Sequence, residues 1–256
     1  MTGIDFHGKT VLITGASLGI GAALARAFAA AGANVGIGYN RSEIEALRLI
    51  GDLTDAGRSA IPLKGDVTDP AVVERIIEET VSAFGTVDVL INNAGALISR
   101  SAISDASDDL YESIMALNMR SMFQACRAVI PVMTARGGGN IINLSSIAAR
   151  TGGSGGSVLY AASKGAVATF TRGLAVELAP VGIRVNALSP GLIATPFHEG
   201  GATDPEVFKR LAQAIPMGRA GTAEECVGGA LFLASDELSS YVTGQILEVN
   251  GGSFRP

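Results

Sequence analysis

The 256-residue sequence predicts an α/β fold: one doubly wound, seven-stranded parallel sheet with helices on both faces. Three observations carry that prediction. Seven short runs rich in β-branched and apolar residues recur along the chain, most of them continuous rather than alternating, as a parallel strand covered on both faces requires. Helical patterns separate them, and strand–helix–strand repetition implies right-handed crossovers. The first run enters a glycine-rich turn, Thr14-Gly15-Ala16-Ser17-Leu18-Gly19-Ile20-Gly21, which opens an alanine-rich helix ending at Ala31.

Taken in order, strands are expected at residues 10–14, 34–39, 60–64, 87–92, 140–145, 184–189 and 245–249. Ser42 with Glu45 three residues on reads as a capping box, and Asp69-Pro70 as an N-cap with proline at the first helical position. Residues 110–135 read as a single helix that is apolar almost all round, with Ile114, Met115, Leu117, Met119, Met122, Phe123, Val129, Ile130 and Met133. One face covers the sheet, and the other is expected to pack, with the helix after Tyr160, against a second copy of the chain. The alternative is a large core within one copy. No linker, composition shift or repeat divides residues 1–256, so a single domain is expected.

Composition removes several function classes. With 48% hydrophobic and 17% charged residues the chain is not disordered, and its 33 glycines have no collagen period. A net charge of −5, with arginines scattered singly, argues against nucleic acid. The longest uncharged stretch, residues 10–25, is too short and too glycine-rich for a membrane span, and residues 1–10 lack the apolar core of a secretory signal. Cys126 and Cys226 have no metal-type spacing; two free thiols and a cytoplasmic location are expected, with no metal.

The glycine turn lets backbone approach a pyrophosphate while the helix N-terminus directs amide donors at it. At the end of the second strand, where an acid commonly holds the adenosine ribose, stand Tyr39-Asn40-Arg41-Ser42. A guanidinium and a hydroxyl without a carboxylate suit a 2′-phosphate, so NADP(H) is expected over NAD(H). Asp66 with Val67, and Asn92-Asn93-Ala94-Gly95, follow the third and fourth strands, where ligands bind in open α/β sheets. Asp66 suits an adenine amino group or its own turn; the two asparagines suit cofactor lining or strand ties. Ser146 ends the fifth strand, and Tyr160 and Lys164, four apart, share one helix face. A nearby ammonium favours phenolate, which is expected to lower the Tyr160 pKa and make it a usable acid or base.

These motifs, in this order and over essentially the whole chain, resemble the short-chain dehydrogenase/reductase family, of Rossmann type, including its NADP-preferring 3-oxoacyl-carrier reductases. The resemblance implies that Tyr160 exchanges a proton with a carbonyl or alcohol while hydride passes to or from a nicotinamide. It implies that Lys164 holds the nicotinamide ribose, Ser146 bonds the substrate oxygen, and Asn118 anchors a water that relays protons through Lys164. Pro190, Gly191, Ile193 and Thr195 resemble contacts to the carboxamide, and residues 197–215, with Gly200 and Gly201, a substrate lid. A homotetramer is implied.

Two departures stand out. Leu18 occupies a place before the second glycine that is often basic in NADP(H) members, leaving Arg41 and Ser42 to read the phosphate. The segment from Ser146 to Tyr160 is one residue longer than usual and carries Thr151-Gly152-Gly153-Ser154-Gly155-Gly156. The expected substrate is a 3-oxoacyl thioester, or a sugar, polyol or small ketone. Arg136 is a candidate basic residue for an acidic carrier, whereas Val181 stands where a second is frequent. The alternative reading is a non-catalytic NADP(H) sensor.

Overall fold

The computed structural model describes residues 4–198 and 204–255. In chain order its main elements are β1 (Thr10–Ile13), α1 (Gly19–Ala30), β2 (Asn34–Tyr39), α2 (Glu43–Asp55), β3 (Ala60–Lys64), α3 (Pro70–Phe84), β4 (Val89–Asn92) and α4 (Asp108–Met115). A π-helical turn (Ala116–Arg120) leads into α5 (Ser121–Ala135), β5 (Gly139–Leu144), α6 (Ala148–Thr151), α7 (Val158–Leu178) and β6 (Ile183–Pro190). The chain ends with α8 (Pro205–Gln213), α9 (Val227–Ala234), α10 (Asp236–Ser239) and β7 (Ile246–Val249).

The strands form one parallel sheet in the order β3-β2-β1-β4-β5-β6-β7. After β3 the chain crosses back past β1, so the segments leaving β1 and β4 diverge and open a crevice at the carboxyl edge. Both faces of the central strands are covered. Val11 and Ile13 pack with Leu24, Phe28 and Leu49 on one side, while Leu12 faces Ile76, Val129 and Val167 on the other. That two-sided burial is why the strands read as continuous apolar runs.

Local signals fare unequally. Asp69 caps α3, its carboxylate accepting the Ala71 N–H at 2.9 Å. Ser42 occupies the N-cap of α2 but makes no capping hydrogen bond, so the expected capping box is not formed. Its backbone, at φ −83° and ψ 62°, departs from the extended conformation an N-cap side chain needs to reach back to the helix.

The expected single helix over 110–135 is also corrected. Its register breaks at the π turn, where the buried Asn118 brackets the backbone of Ala96, accepting its N–H at 3.0 Å and donating to its carbonyl at 2.9 Å. The wider turn inserts the extra residue and lets that side chain reach inward. Beyond it, Met122, Val129 and Met133 stay buried, while Phe123 is exposed, edge-on to Phe170 and beneath Arg127. Among the described residues no helix is long and apolar enough to cross a membrane.

A buried polar chain ties the fourth and fifth strands to α7. Asn92 donates to the Asn143 side-chain oxygen, and Asn143 donates to the Thr171 hydroxyl, both at 2.9 Å. Replacing Asn143 with Ala leaves the Asn92 amide only the weak Cys126 sulfur acceptor, at 3.4 Å, in the core. We expect a loss of about 2–4 kcal/mol, measured as a lower urea midpoint with unchanged m-value at fixed protein concentration.

Candidate active site

A cleft of about 700 Å³ opens at the carboxyl edge of the sheet, beside β1, β4, β5 and β6. One wall is the glycine turn, and a polar clasp holds it. The Thr14 hydroxyl accepts the N–H groups of Asn93 and Ala94, each at 3.1 Å. The Asn93 amide donates to the carbonyls of Thr14 (3.0 Å) and Gly15 (2.7 Å). A Cβ on Gly21 would overlap the Gly15 carbonyl oxygen, so only glycine lets α1 start this close to the turn. Leu18, the N-cap of α1, offers no side-chain acceptor, leaving the first helical amides to an anion. The cradle and the uncapped helix fit the pyrophosphate of a dinucleotide. Gly15, Leu18, Gly19, Ile20 and Gly21 line the cleft, while Ser17 lies in the same turn outside its wall.

Tyr39, Asn40, Arg41, Ser42, Asp66 and Val67 gather at the ends of β2 and β3, apart from this cleft. Asp66 accepts both the N–H (2.9 Å) and the hydroxyl (2.8 Å) of Thr68, and these bonds, aided by the Asn40 amide and the charge of Arg41, hold its carboxyl below the usual range. Its first job is therefore its own turn. Arg41 is exposed. Tyr39 is buried and its phenol donates to Glu43 at 3.5 Å, while Glu43 pairs with Lys64 at 2.6 Å. Burial and the Glu43 charge raise the Tyr39 pKa. Glu43 and Lys64 escaped the sequence reading because their contact spans two elements.

Asn92 is a correction. Its side chain points into the buried chain with Asn143, and Asn93, the next residue, faces the cleft in its place. Ala94 and Gly95 line the cleft as expected, and a Cβ on Gly95 would sit 2.6 Å from Asn118 Oδ1 and 3.0 Å from Lys164 Nζ.

Ser146, Tyr160 and Lys164 do meet in the cleft. The Ser146 hydroxyl accepts the Ala148 N–H at 3.1 Å and lies close enough to the Tyr160 phenol to act on its pKa. Lys164 is buried and donates to the Leu144 carbonyl at 2.7 Å, with Nζ 5.8 Å from the centre of the Tyr160 ring. Burial lowers the lysine to about 8. The same loss of solvent pushes Tyr160 up to about 12, with only Ser146 pulling it down. The expected lowering of the phenol by the ammonium is thus overturned in the cofactor-free protein, because burial raises it more than its surroundings lower it.

Asn118 stands behind this group, outside the cleft wall. With Lys164, Thr14 and Asn92 it borders a buried cavity of about 10 Å³, the size of a single water site. Its bonds to Ala96 use one amide N–H and one lone pair, so a second N–H and a second lone pair remain for a water there.

Pro190, Gly191, Ile193 and Thr195 line the far wall, with Thr195 resting against Gly19. From the expected lid, Phe197 lies 5.9 Å from Tyr160, centre to centre, and Leu211 and Ile215 reach the cleft. Gly200 and Gly201 lie outside the described residues. Thr151, Gly153 and Ser154 of the glycine-rich segment line the cleft, together with the loop residue Arg100, which gave no signal in the sequence. Arg136 is corrected too: it joins α5 to the start of β5, at the amino edge of the sheet, the end opposite the cleft.

The whole chain has clear relatives. Residues 15–253 match the family model described as enoyl-(acyl carrier protein) reductase. The sequence is 40% identical over 251 residues to 3-oxoacyl-[acyl-carrier-protein] reductase FabG of Escherichia coli (strain K12), covering 98% of this chain and 99% of that protein. The crystal structure of NADH-dependent reductase A1-R′, responsible for alginate metabolism, superposes with a TM-score of 0.89 at 37% identity, covering 99% of this chain and 100% of the other. A gluconate 5-dehydrogenase from Burkholderia cenocepacia J2315, in complex with NADP and tartrate, gives 0.89 at 36% identity over 97% and 96%. Sheet order, cleft chemistry and these relatives agree: the chain belongs to the short-chain dehydrogenase/reductase family and is an oxidoreductase.

Proposed function

We propose that the protein is an NADP(H)-preferring reductase of a ketone to a secondary alcohol, reversible in principle, with Tyr160 as general acid and base. The observation that carries this is the Ser146–Tyr160–Lys164 group in the same cleft as an uncapped, glycine-cradled helix N-terminus. A bound nicotinamide supplies or takes the hydride. Tyr160, held neutral by burial, is poised to donate its phenolic proton to the carbonyl oxygen as charge develops there. Ser146 donates a hydrogen bond to the same oxygen. Lys164, fixed by Leu144, presents its remaining N–H donors to the ribose side, and the small cavity behind it offers a place for a relaying water. A non-catalytic sensor would need none of this proton-transfer set.

Arg41 and the uncommitted Ser42 hydroxyl support the preference for NADP(H). The exposed Phe123 on α5, edge-on to Phe170 of α7, supports packing of these helices against another copy, as in a homotetramer. Residues 197–215 would close as a lid, within a single domain spanning 1–256 and working in the cytoplasm. The substrate branch is a 3-oxoacyl thioester or a sugar, polyol or small ketone, and the position of Arg136 away from the cleft weakens the case for a carrier-protein partner at that residue.

Tyr160→Phe should cut kcat for ketone reduction at least about 10³-fold while NADPH still quenches or shifts its own fluorescence on binding; near wild-type turnover would remove Tyr160 as the acid. Arg41→Ala should lower kcat/KM for NADPH about 10-fold or more and leave NADH within a factor of about three. An unchanged NADPH/NADH ratio would refute the phosphate role. The sign of the pH effect is also fixed. Lys164 titrates near 8 when folded against 10.5 ordinarily, so the unfolded chain binds more protons between those values and stability rises with pH across that window. In Tm-versus-pH scans of cofactor-free protein, Lys164→Met should lose this rising component.

A further inference from the structure

Ser146 sits on a short bridge whose far end needs an anchor. Behind it the sheet holds the chain as far as Ser145, whose N–H donates to the Leu188 carbonyl at 2.8 Å and whose hydroxyl donates to the Lys164 carbonyl at 3.1 Å. Ile147 adds one bond, to the Pro190 carbonyl at 2.9 Å. The chain then leaves the sheet into α6 and stops at Gly152, in the left-handed conformation with φ +79°. One helical turn is too short to persist on its own hydrogen bonds, and none of the α6 residues is fully buried. Because the Ser146 hydroxyl accepts the Ala148 N–H, its direction follows α6.

Arg150, in the last turn of α6, ties that bridge back to the sheet. Its Nε donates to Glu248 Oε1 at 3.0 Å, with the two side chains 26% and 10% exposed. Glu248 stands in β7, opposite Ser189 of β6, so the acceptor belongs to the sheet rather than to a loop. The Arg150 guanidinium also lies over the Phe254 ring, 5.5 Å from its centre. A hook formed by residues 250–254 holds that ring in place. Asn250 donates to the Phe254 carbonyl at 3.2 Å and to Glu248 Oε2 at 3.3 Å, and accepts the Gly252 N–H at 3.0 Å. An ion pair this withdrawn from water is costly to break from one side, because the remaining charge loses its compensation.

We propose that Arg150 is a positioning residue for Ser146: locked between Glu248 and Phe254, it holds α6 to the sheet and keeps the Ser146 hydroxyl aimed at the reacting oxygen. The proposal rests on the reductase reading for its kinetic consequence but not for the lock itself. Arg150→Ala should lower kcat for ketone reduction about 10-fold, with the ketone KM and the NADPH Kd each within a factor of about three of wild type. Arg150→Lys keeps a charge for Glu248 without the planar stack, and Phe254→Ala keeps the ion pair without the ring; both should fall between wild type and Arg150→Ala. An arginine that acts through Ser146 has little left to do once that hydroxyl is gone. In a Ser146→Ala background, Arg150→Ala should therefore cost less than about a factor of two.

Hydrogen exchange read by mass spectrometry needs no turnover. Arg150→Ala should speed exchange of the amides at 147–152 at least about 10-fold while those of α1 keep their wild-type rates, and Phe254→Ala should do the same more weakly. Where Arg150→Ala does not fold, Phe254→Ala and Arg150→Lys carry the same comparisons. Losses that multiply in full with Ser146→Ala, or unchanged exchange over 147–152, overturn the assignment. So does an effect confined to KM, which moves the action to the cleft wall at Ser253. Faster exchange throughout the chain, α1 included, also overturns it, because Arg150 then only stabilises the fold. If wild-type protein turns over no carbonyl, the reductase reading fails and the exchange result alone decides the lock.

Discussion

The cleft depends on how two strand ends are held together at the point where the sheet reverses its winding. β1 and β4 lie side by side, and each chain turns away from the other as it leaves the sheet. Backbone groups there lose their ladder partners and must find others or stay unpaired in a half-buried site. Thr14 and Asn93 supply them, with a hydroxyl that accepts two amide N–H groups and an amide that donates to two carbonyls. The clasp fixes the separation of the glycine turn from the Ala94–Leu97 wall. That separation sets where the α1 amides point and how near the backbone at Gly95 comes to Lys164.

A second constraint acts on the chemistry. One cause, removal from water, pushes Lys164 down towards neutrality and Tyr160 up, further into its neutral form. In the cofactor-free protein the phenol is therefore held neutral rather than as phenolate. Lys164 has a backbone carbonyl for a partner and no carboxylate, which leaves its charge poorly compensated. Hydroxyl acceptors from a ribose would restore what burial removed, so occupancy of the cofactor site and the charge on Lys164 are linked. The resting site holds a protonated acid, which is the state that carbonyl reduction needs first.

Much of this was legible in the sequence, and the failures share a cause. The strands at 34–39 and 60–64 and the Asp69 cap were readable because periodicity and caps are local. Tyr160 and Lys164 were readable because four residues return a helix to the same face. What escaped depends on partners far along the chain. Asn118 suits a helix kink with a satisfied side chain as well as a water anchor, but nothing near it names the partner, Ala96, 22 residues back. Asn92 and Asn93 are adjacent and chemically identical, and only the sheet decides which faces the cleft. Ser42 has the right chemistry for a cap and the wrong backbone angles. The place of Arg136 follows from topology: a segment leading from helix into parallel strand lies at the amino edge, away from the ligand crevice.

The same logic explains why reaction type is easier to read than substrate. The fold fixes the carboxyl ends of β1, β4, β5 and β6, so residues there inherit a common geometry and a common chemistry. The substrate wall is assembled from what lies between: the loop after β4, the glycine-rich segment before α7, and the stretch that runs from β6 into α8. Such segments can change length and charge without disturbing the sheet. Relatives alike in fold can thus act on quite different molecules, and overall identity weighs little in choosing among them. The distribution of charge around the wall weighs more, because a missing carboxylate or a fixed guanidinium alters the energy of a bound anion directly, whereas an extra methylene shifts it only slightly.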